Sequence, residues 1–143
     1  MKILVTGGTG LLGGRLIPKL VESGHEVFAL ARSSASREKV HALGALPIAG
    51  DLEGGKPLSL PAVDAVVHAA ALFRFGGPTE PYFRTNVNGT IALLKAAKLV
   101  GAKTFVHISA AGIVMDNRGS PVRNADESAP TYPSFPLAFL DSA

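Results

Sequence analysis

The sequence predicts an α/β fold built on a parallel sheet, and three observations carry that prediction. Short β-branched runs alternate along the chain with segments of helical apolar spacing, the pattern of strand–helix–strand units. Five of the 16 glycines crowd into residues 5–14, VTGGTGLLGG, directly after the first β-branched run. Glycine inside a regular element costs roughly 0.5–1 kcal/mol relative to alanine, so such a cluster marks backbone that turns sharply or lies close against something. Finally, 143 residues at 47% hydrophobic composition supply one domain, residues 1–143, with a core of its own.

Residues 2–6, KILVT, read as the first strand. Leu12, Leu16, Ile17, Leu20 and Val21 then fall at helical spacing until Gly24 offers a C-cap. Pro18 conflicts with that helix, because it brings no N–H and should kink or loosen the turn around it. Residues 26–31, EVFALA, form the second strand, 34–43 a short helix, and 45–51, ALPIAGD, a third strand ending in an acid. A loop marked by Pro57 and Pro61 leads to 64–70, DAVVHAA, an apolar run suited to a strand buried on both faces. Thr79 is placed to cap a long helix over 80–100, with Val87, Ile91 and Leu94 on one face, and 103–109, KTFVHIS, gives the fifth strand. From Gly112 onward, prolines and small polar residues predict loop with at most short elements. The right-handed crossover rule orders these strands 3-2-1-4-5 in a doubly wound sheet.

Composition removes several function classes. With no cysteine, a disulfide framework and a thiolate metal site are both excluded, and a reducing compartment, the cytoplasm, is the expected location. Met1 and Lys2 run straight into ILVTGG, too short for a signal sequence, and no apolar run approaches the roughly 18 residues that span a bilayer, so no membrane partner is expected. Net charge is +3, but the 14 basic residues are scattered rather than striped, which argues against nucleic acid and still provides for a small anionic ligand. His68 and His107 lie in apolar strands with no third ligand in view, and they read as core or hydrogen-bonded histidines; no metal site is expected.

The glycines carry the chemistry. Gly8, Gly10 and Gly13 spell GxGxxG, while Thr6, Gly7, Gly10 and Gly13 spell TGxxGxxG. Both patterns put glycine where a strand turns into a helix, so that backbone N–H groups and the positive helix end meet a pyrophosphate. The candidate contacts on this turn are Gly7, Thr9, Gly10, Leu11, Leu12 and Gly13; the alternative is a tight turn with close helix packing. The second strand ends Ala31-Arg32-Ser33-Ser34 with no acid. NAD sites usually place a carboxylate there for the ribose hydroxyls, whereas a guanidinium grips the 2′-phosphate of NADP, so Arg32 and Ser33 favour NADP, with NAD as the alternative. An ordinary surface arginine would look the same.

With VTGGTGLLGG at 5–14, GDL at 50–52, VVHAAA at 66–71, TNVNGT at 85–90 and FVHISAAG at 105–112, the chain resembles extended short-chain dehydrogenase/reductases of the NAD(P)-dependent epimerase/dehydratase and dihydroflavonol-reductase group. The resemblance implies a Rossmann-type fold, a small hydroxyl or carbonyl compound as substrate, Asp51 and Leu52 beside the adenine, Ala69, Ala70 and Ala71 along the ribose and pyrophosphate, and Asn86 on the helix beneath. Each has a plainer reading: Asp51 as a helix cap, the alanines as small packing residues, Asn86 as a satisfied buried amide. The family's chemistry uses a Ser/Thr, a Tyr and a Lys, the last two as YxxxK. No YxxxK occurs in these residues; the nearest equivalent is Phe139 to Ala143, FLDSA. Of the two hydroxyl residues that often precede AG, only Ser109 remains, the one catalytic candidate. Family chains continue for a similar length again, so the resemblance implies a C-terminally truncated sheet whose open edge invites a homo-oligomer.

Overall fold

The computed structural model describes residues 1–74, 76–114, 123–131 and 142. Five parallel strands, β1 (Lys2–Thr6), β2 (Glu26–Ala31), β3 (Leu46–Ala49), β4 (Ala65–His68) and β5 (Thr104–His107), form one sheet in the order β3-β2-β1-β4-β5. The order is the expected one, because each strand–helix–strand crossover is right-handed and the chain reverses its direction of growth after β3. β1 sits at the centre, with Ile3 beside Val27 on one side and Ala65 on the other. The third and fourth strands are shorter than expected. Pairing with β2 stops at Ala49, and beyond His68 the chain turns away into the loop over the strand ends.

Side-chain alternation along β1 explains the two layers. Ile3 and Val5 face one way and pack with Ile17 of α1 (Leu11–Glu22) and Val40 of α2 (Ser34–Ala42). Leu4 faces the other way and joins Phe28, Val66 and Leu93. Leu93 lies on α4 (Gly89–Leu99), so helices cover both faces and the central strands are largely apolar on both sides, with Thr6 and His68 as buried polar residues at their C-terminal ends. α1 runs through Pro18 to Glu22 despite the missing N–H, because fully buried Ile17 beside it, with Leu20 and Val21, anchors the helix to the sheet. Past Ser23, Gly24 takes φ +79°, and bonds from Gly24 to Val21 and from His25 to Leu20 close the helix end.

The predicted long helix is three pieces. α3 (Glu80–Tyr82) passes into a π-helical segment, Phe83–Asn88, before α4 resumes ordinary geometry at Gly89. Thr79 is itself helical and makes no side-chain capping bond, which corrects the expected cap. The wider π turn is placed where Gly89 must lie against Leu52: a Cβ on Gly89 would stand 2.9 Å from the Leu52 Cβ and 3.0 Å from its carbonyl oxygen. After β5, a short 3-10 turn, Ala111–Val114, is the described regular structure. β5, like β3, is an edge of the sheet among the described residues, and Val106 and Ile108 are each about two-fifths exposed there, at 43% and 41%.

Candidate dinucleotide site

A cavity of about 460 Å³ opens over the C-terminal ends of β1 to β4, where the sheet's order switches direction between β1 and β4. In open α/β sheets this crevice is where ligands bind. Its walls come from four strand ends: Thr6 to Gly10 after β1, Arg32 and Ser33 after β2, Asp51 to Glu53 after β3, and Ala69 to Leu72 after β4.

The glycines divide into two kinds. Gly7 holds φ +72°, and a Cβ there would fall 2.6 Å from the Ala69 carbonyl oxygen and 2.8 Å from the Ala70 nitrogen. A Cβ on Gly13 would run into the Gly7 carbonyl and sit 2.8 Å from the Gly8 Cα. Gly8 is crowded by Ile17 and Val40. These three positions are glycine for the protein's own packing, the plainer of the two sequence readings. Gly10 differs. Its φ of −83° and ψ of 178° suit any residue, and a Cβ would meet only the Gly7 oxygen, at 3.2 Å.

Gly10 is also the N-cap of α1 and carries no side chain to cap it. Its own N–H bonds to Gly7 O at 2.9 Å, and the first intrahelical bond runs from Gly14 to Gly10 O. The N–H groups of Leu11, Leu12 and Gly13 therefore have no intrahelical acceptor, and no acidic residue occupies the first turn. The Leu11 and Leu12 side chains are exposed, and Leu11, Leu12 and buried Gly13 all stand outside the described walls of the cavity, which Gly10, the residue before them, lines.

At the end of β2, Arg32 is exposed on the cavity rim. Ser33 caps α2: its Oγ accepts the Ser36 N–H at 3.2 Å, while its own N–H donates to Ser36 Oγ at 2.9 Å. Its hydroxyl is thus partly committed to the helix. Two further polar residues on this wall escaped sequence reading, Ser36 and Lys39. They stand three apart on one face of α2, a spacing that would have exposed the second cation.

The acids opposite are occupied. Asp51 accepts the Glu53 N–H at 3.0 Å, a turn rather than a helix cap, and Glu53 pairs with Arg84 at 2.9 Å. Arg84 also reaches Glu80, at 3.0 Å. Thr85 is another wall residue missed from sequence. Among the described residues its buried Oγ1 has no hydrogen-bond partner, whereas Thr90, in the ordinary helix that follows, bonds back to the carbonyl of Asn86 four residues earlier. The π turn is what separates the two hydroxyls.

Asn86 stands outside the described cavity walls. Its amide receives Leu72 N–H at 2.7 Å, and donates to Leu72 O at 3.2 Å and Ser142 Oγ at 2.9 Å, the satisfied-amide reading. Ser109 is exposed two residues past the end of β5 and is likewise outside those walls. Phe139 and Ala143 lie outside the described residues. His68 is buried and bonded at both nitrogens, to Thr6 Oγ1 at 2.6 Å and Thr90 Oγ1 at 2.8 Å. Burial, together with the His107 ring 5.3 Å away, lowers its pKa from 6.5 to about 4. Among the described residues no group of three His, Asp or Glu side chains is placed to hold a metal, and no helix is long and apolar enough to cross a membrane.

A parallel sheet in this order, with a glycine turn opening α1 over its switch point, defines a Rossmann-type domain. Residues 3–139 match the model of the NAD dependent epimerase/dehydratase family, and the chain belongs to that family. It is 40% identical over 140 residues to 4-hydroxy-2-methyl-3-oxo-4-farnesyl-3,4-dihydroquinoline-1-oxide ketoreductase of Stigmatella aurantiaca, covering 96% of this chain and 41% of that protein. It is 31% identical over 147 residues to a decarboxylating sterol-4-alpha-carboxylate 3-dehydrogenase of Dictyostelium discoideum, covering 99% and 44%. A UDP-glucose-4-epimerase from Stenotrophomonas maltophila, solved with bound NAD and formylated UDP-arabinopyranose, superposes with a TM-score of 0.77 at 25% identity, over 99% of this chain and 45% of that one. The chain thus spans less than half the length of these relatives.

The buried histidine gives stability a pH dependence. Because the folded state lowers the His68 pKa below 6.5, the contribution is fully present above that pH and is lost as pH falls toward about 4. Over that interval wild type should lose about 3 kcal/mol more unfolding free energy than His68→Gln, measured by urea denaturation at pH 7 and pH 4. Parallel pH profiles for the two proteins would contradict the assignment.

Proposed function

We propose that residues 1–143 act as one cofactor domain that binds NADP(H) in preference to NAD(H). The observation that carries the reading is Gly10, a helix cap with unstrained backbone and no side chain, beside three N–H groups without intrahelical acceptors. A pyrophosphate needs that open backbone, and the residues fit it: Gly7, Thr9, Gly10 and the Leu11 to Gly13 amides would hold the phosphates. Ala69, Ala70 and Ala71 would flank the ribose, and Asp51, Leu52 and the unpaired Thr85 hydroxyl would meet the adenine side. Asn86 would act from beneath, by holding Leu72. Arg32 and Lys39 would share the 2′-phosphate with Ser33 and Ser36, since the carboxylate of Glu53 is already paired with Arg84.

When bound, the nicotinamide supplies or accepts a hydride at a hydroxyl or carbonyl carbon. The relatives' names point to such chemistry on ketones, sterols and nucleotide sugars, and a small molecule of that class is the proposed substrate of the complete protein. The 143 residues carry Ser109 as hydroxyl donor and no YxxxK, so they are proposed to bind cofactor without turnover; a cofactor-holding module is the second reading. The cysteine-free composition suits the cytoplasm. The open β5 edge, with Val106 and Ile108, is where self-association would form.

Calorimetry with NADP and NAD tests the binding reading. Wild type should prefer NADP, and Arg32→Ala and Lys39→Ala should each remove part of the preference, on the order of 1–3 kcal/mol for a charge-assisted contact. Gly10→Val should remain folded by circular dichroism and lose both dinucleotides. Equal affinity for the two in wild type contradicts the NADP assignment, and unchanged binding by a folded Gly10→Val contradicts the site.

Turnover is tested by NADPH oxidation against aldehydes, ketones and nucleotide-sugar intermediates. A positioned acid is typically worth about 10²–10⁴ in rate, so its lack should leave activity near background. Robust turnover that Ser109→Ala abolishes would contradict the second half of the proposal.

A further inference from the structure

His68 is the buried titratable group that the proposed site leaves unused, and its bonds have a determinable direction. The Thr90 hydroxyl donates to Asn86 O, so only its oxygen is available to His68 Nε2, and the ring carries its proton there. Nδ1 therefore accepts, and the Thr6 hydroxyl donates to it while its oxygen receives the Ala70 N–H at 3.2 Å. Asn86, in turn, exchanges bonds with both backbone groups of Leu72. The circuit closes through Ala70, Thr6, His68, Thr90, Asn86 and Leu72. Residues 70–72, a wall of the cavity, are thus held at both ends by one polar ring with His68 at its middle.

We propose that His68 is a positioning residue for the dinucleotide pocket: as a neutral ring donating from Nε2 and accepting at Nδ1, it fixes the wall formed by residues 70–72. The proposal rests on reading the cavity as a dinucleotide site. The groups that face the ring are Thr6 from β1, Thr90 from α4, and Phe105 and His107 from β5; of these only His107 titrates. A second proton on the ring would force the Thr6 hydroxyl to turn its own proton away from Nδ1, and a charged His107 would oppose it further. The lowered His68 pKa agrees with a circuit built for the neutral ring. Thr90 is the informative partner, because it stands outside the described cavity walls and a ligand there would not touch it.

The test compares wild type, His68→Gln, Thr90→Val and Thr90→Ser by amide hydrogen exchange without ligand and by NADPH fluorescence titration at pH 7. In Thr90→Val, exchange at Ala70 and Leu72 should rise about tenfold while Leu4 in the central strand is unchanged, and NADPH binding should weaken by a similar factor. Thr90→Ser, which keeps the hydroxyl, should restore both. His68→Gln, where it folds, should behave like Thr90→Val; where it does not, the Thr90 pair decides. Unchanged exchange at Ala70 and Leu72 in a folded Thr90→Val overturns the proposal, as does faster exchange with unaltered NADPH affinity. Should wild type not bind NADPH, the cofactor reading fails and the positioning of a dinucleotide wall is overturned with it, while the exchange data separately report whether the circuit holds residues 70–72.

Discussion

The site depends on backbone lying directly on backbone. The turn after β1 touches the turn after β4 where Gly7 meets the Ala69–Ala70 peptide, and the first turn of α1 touches the β1 turn where Gly13 meets the Gly7 carbonyl. No side chain fits at either contact. Both contacts bring the N-terminus of α1 to the point where the sheet changes direction, so that its cap, Gly10, lines the cavity and the first amides after it have no intrahelical acceptor. A methyl group at either position would push the helix end away from the strand ends, so the same glycines that close the fold also set the width of the cavity.

Beneath that contact, polar groups are matched with little surplus. Thr6, His68, Thr90 and Asn86 would be costly to bury singly, yet each satisfies the next, and the chain of bonds joins β1, β4 and the π-to-α helix junction. The π segment has two consequences there. It lets Gly89 approach Leu52, and it leaves Thr85, a lining residue of the cavity, without the back-bond that Thr90 makes, its buried hydroxyl lacking a hydrogen-bond partner among the described residues.

The strands and their order were legible because period, glycine punctuation and crossover handedness all agree over KILVT, EVFALA and DAVVHAA. The glycine turn was legible as a turn, but the separate duties of its members were not. Gly7 and Gly13 answer to contacts with Ala69 and Gly7 that are set by tertiary approach, whereas Gly10 does not. The break in the long helix was hidden because π geometry keeps helical apolar spacing nearly intact through Val87, Ile91 and Leu94. Asn86 was legible only through the resemblance carried by TNVNGT, and its amide holds Leu72, whereas Thr85 one residue earlier lines the cavity. Lys39 was missed because its place on the cavity wall depends on where α2 lies, although its spacing from Ser36 was in plain view.

At the centre of the proposal, the α1 amides without intrahelical acceptors and the cations Arg32 and Lys39 receive the pyrophosphate and the 2′-phosphate of one NADP molecule. An NADP titration followed by amide chemical shifts addresses it most directly, because Leu11, Leu12 and Gly13 report the pyrophosphate and Arg32, Ser33 and Lys39 report the 2′-phosphate in a single experiment. The expected result is saturable shifts in both groups with one dissociation constant, of which only the second group falls away when NAD replaces NADP. Shifts that leave Leu11, Leu12 and Gly13 unmoved at saturation would contradict the claim.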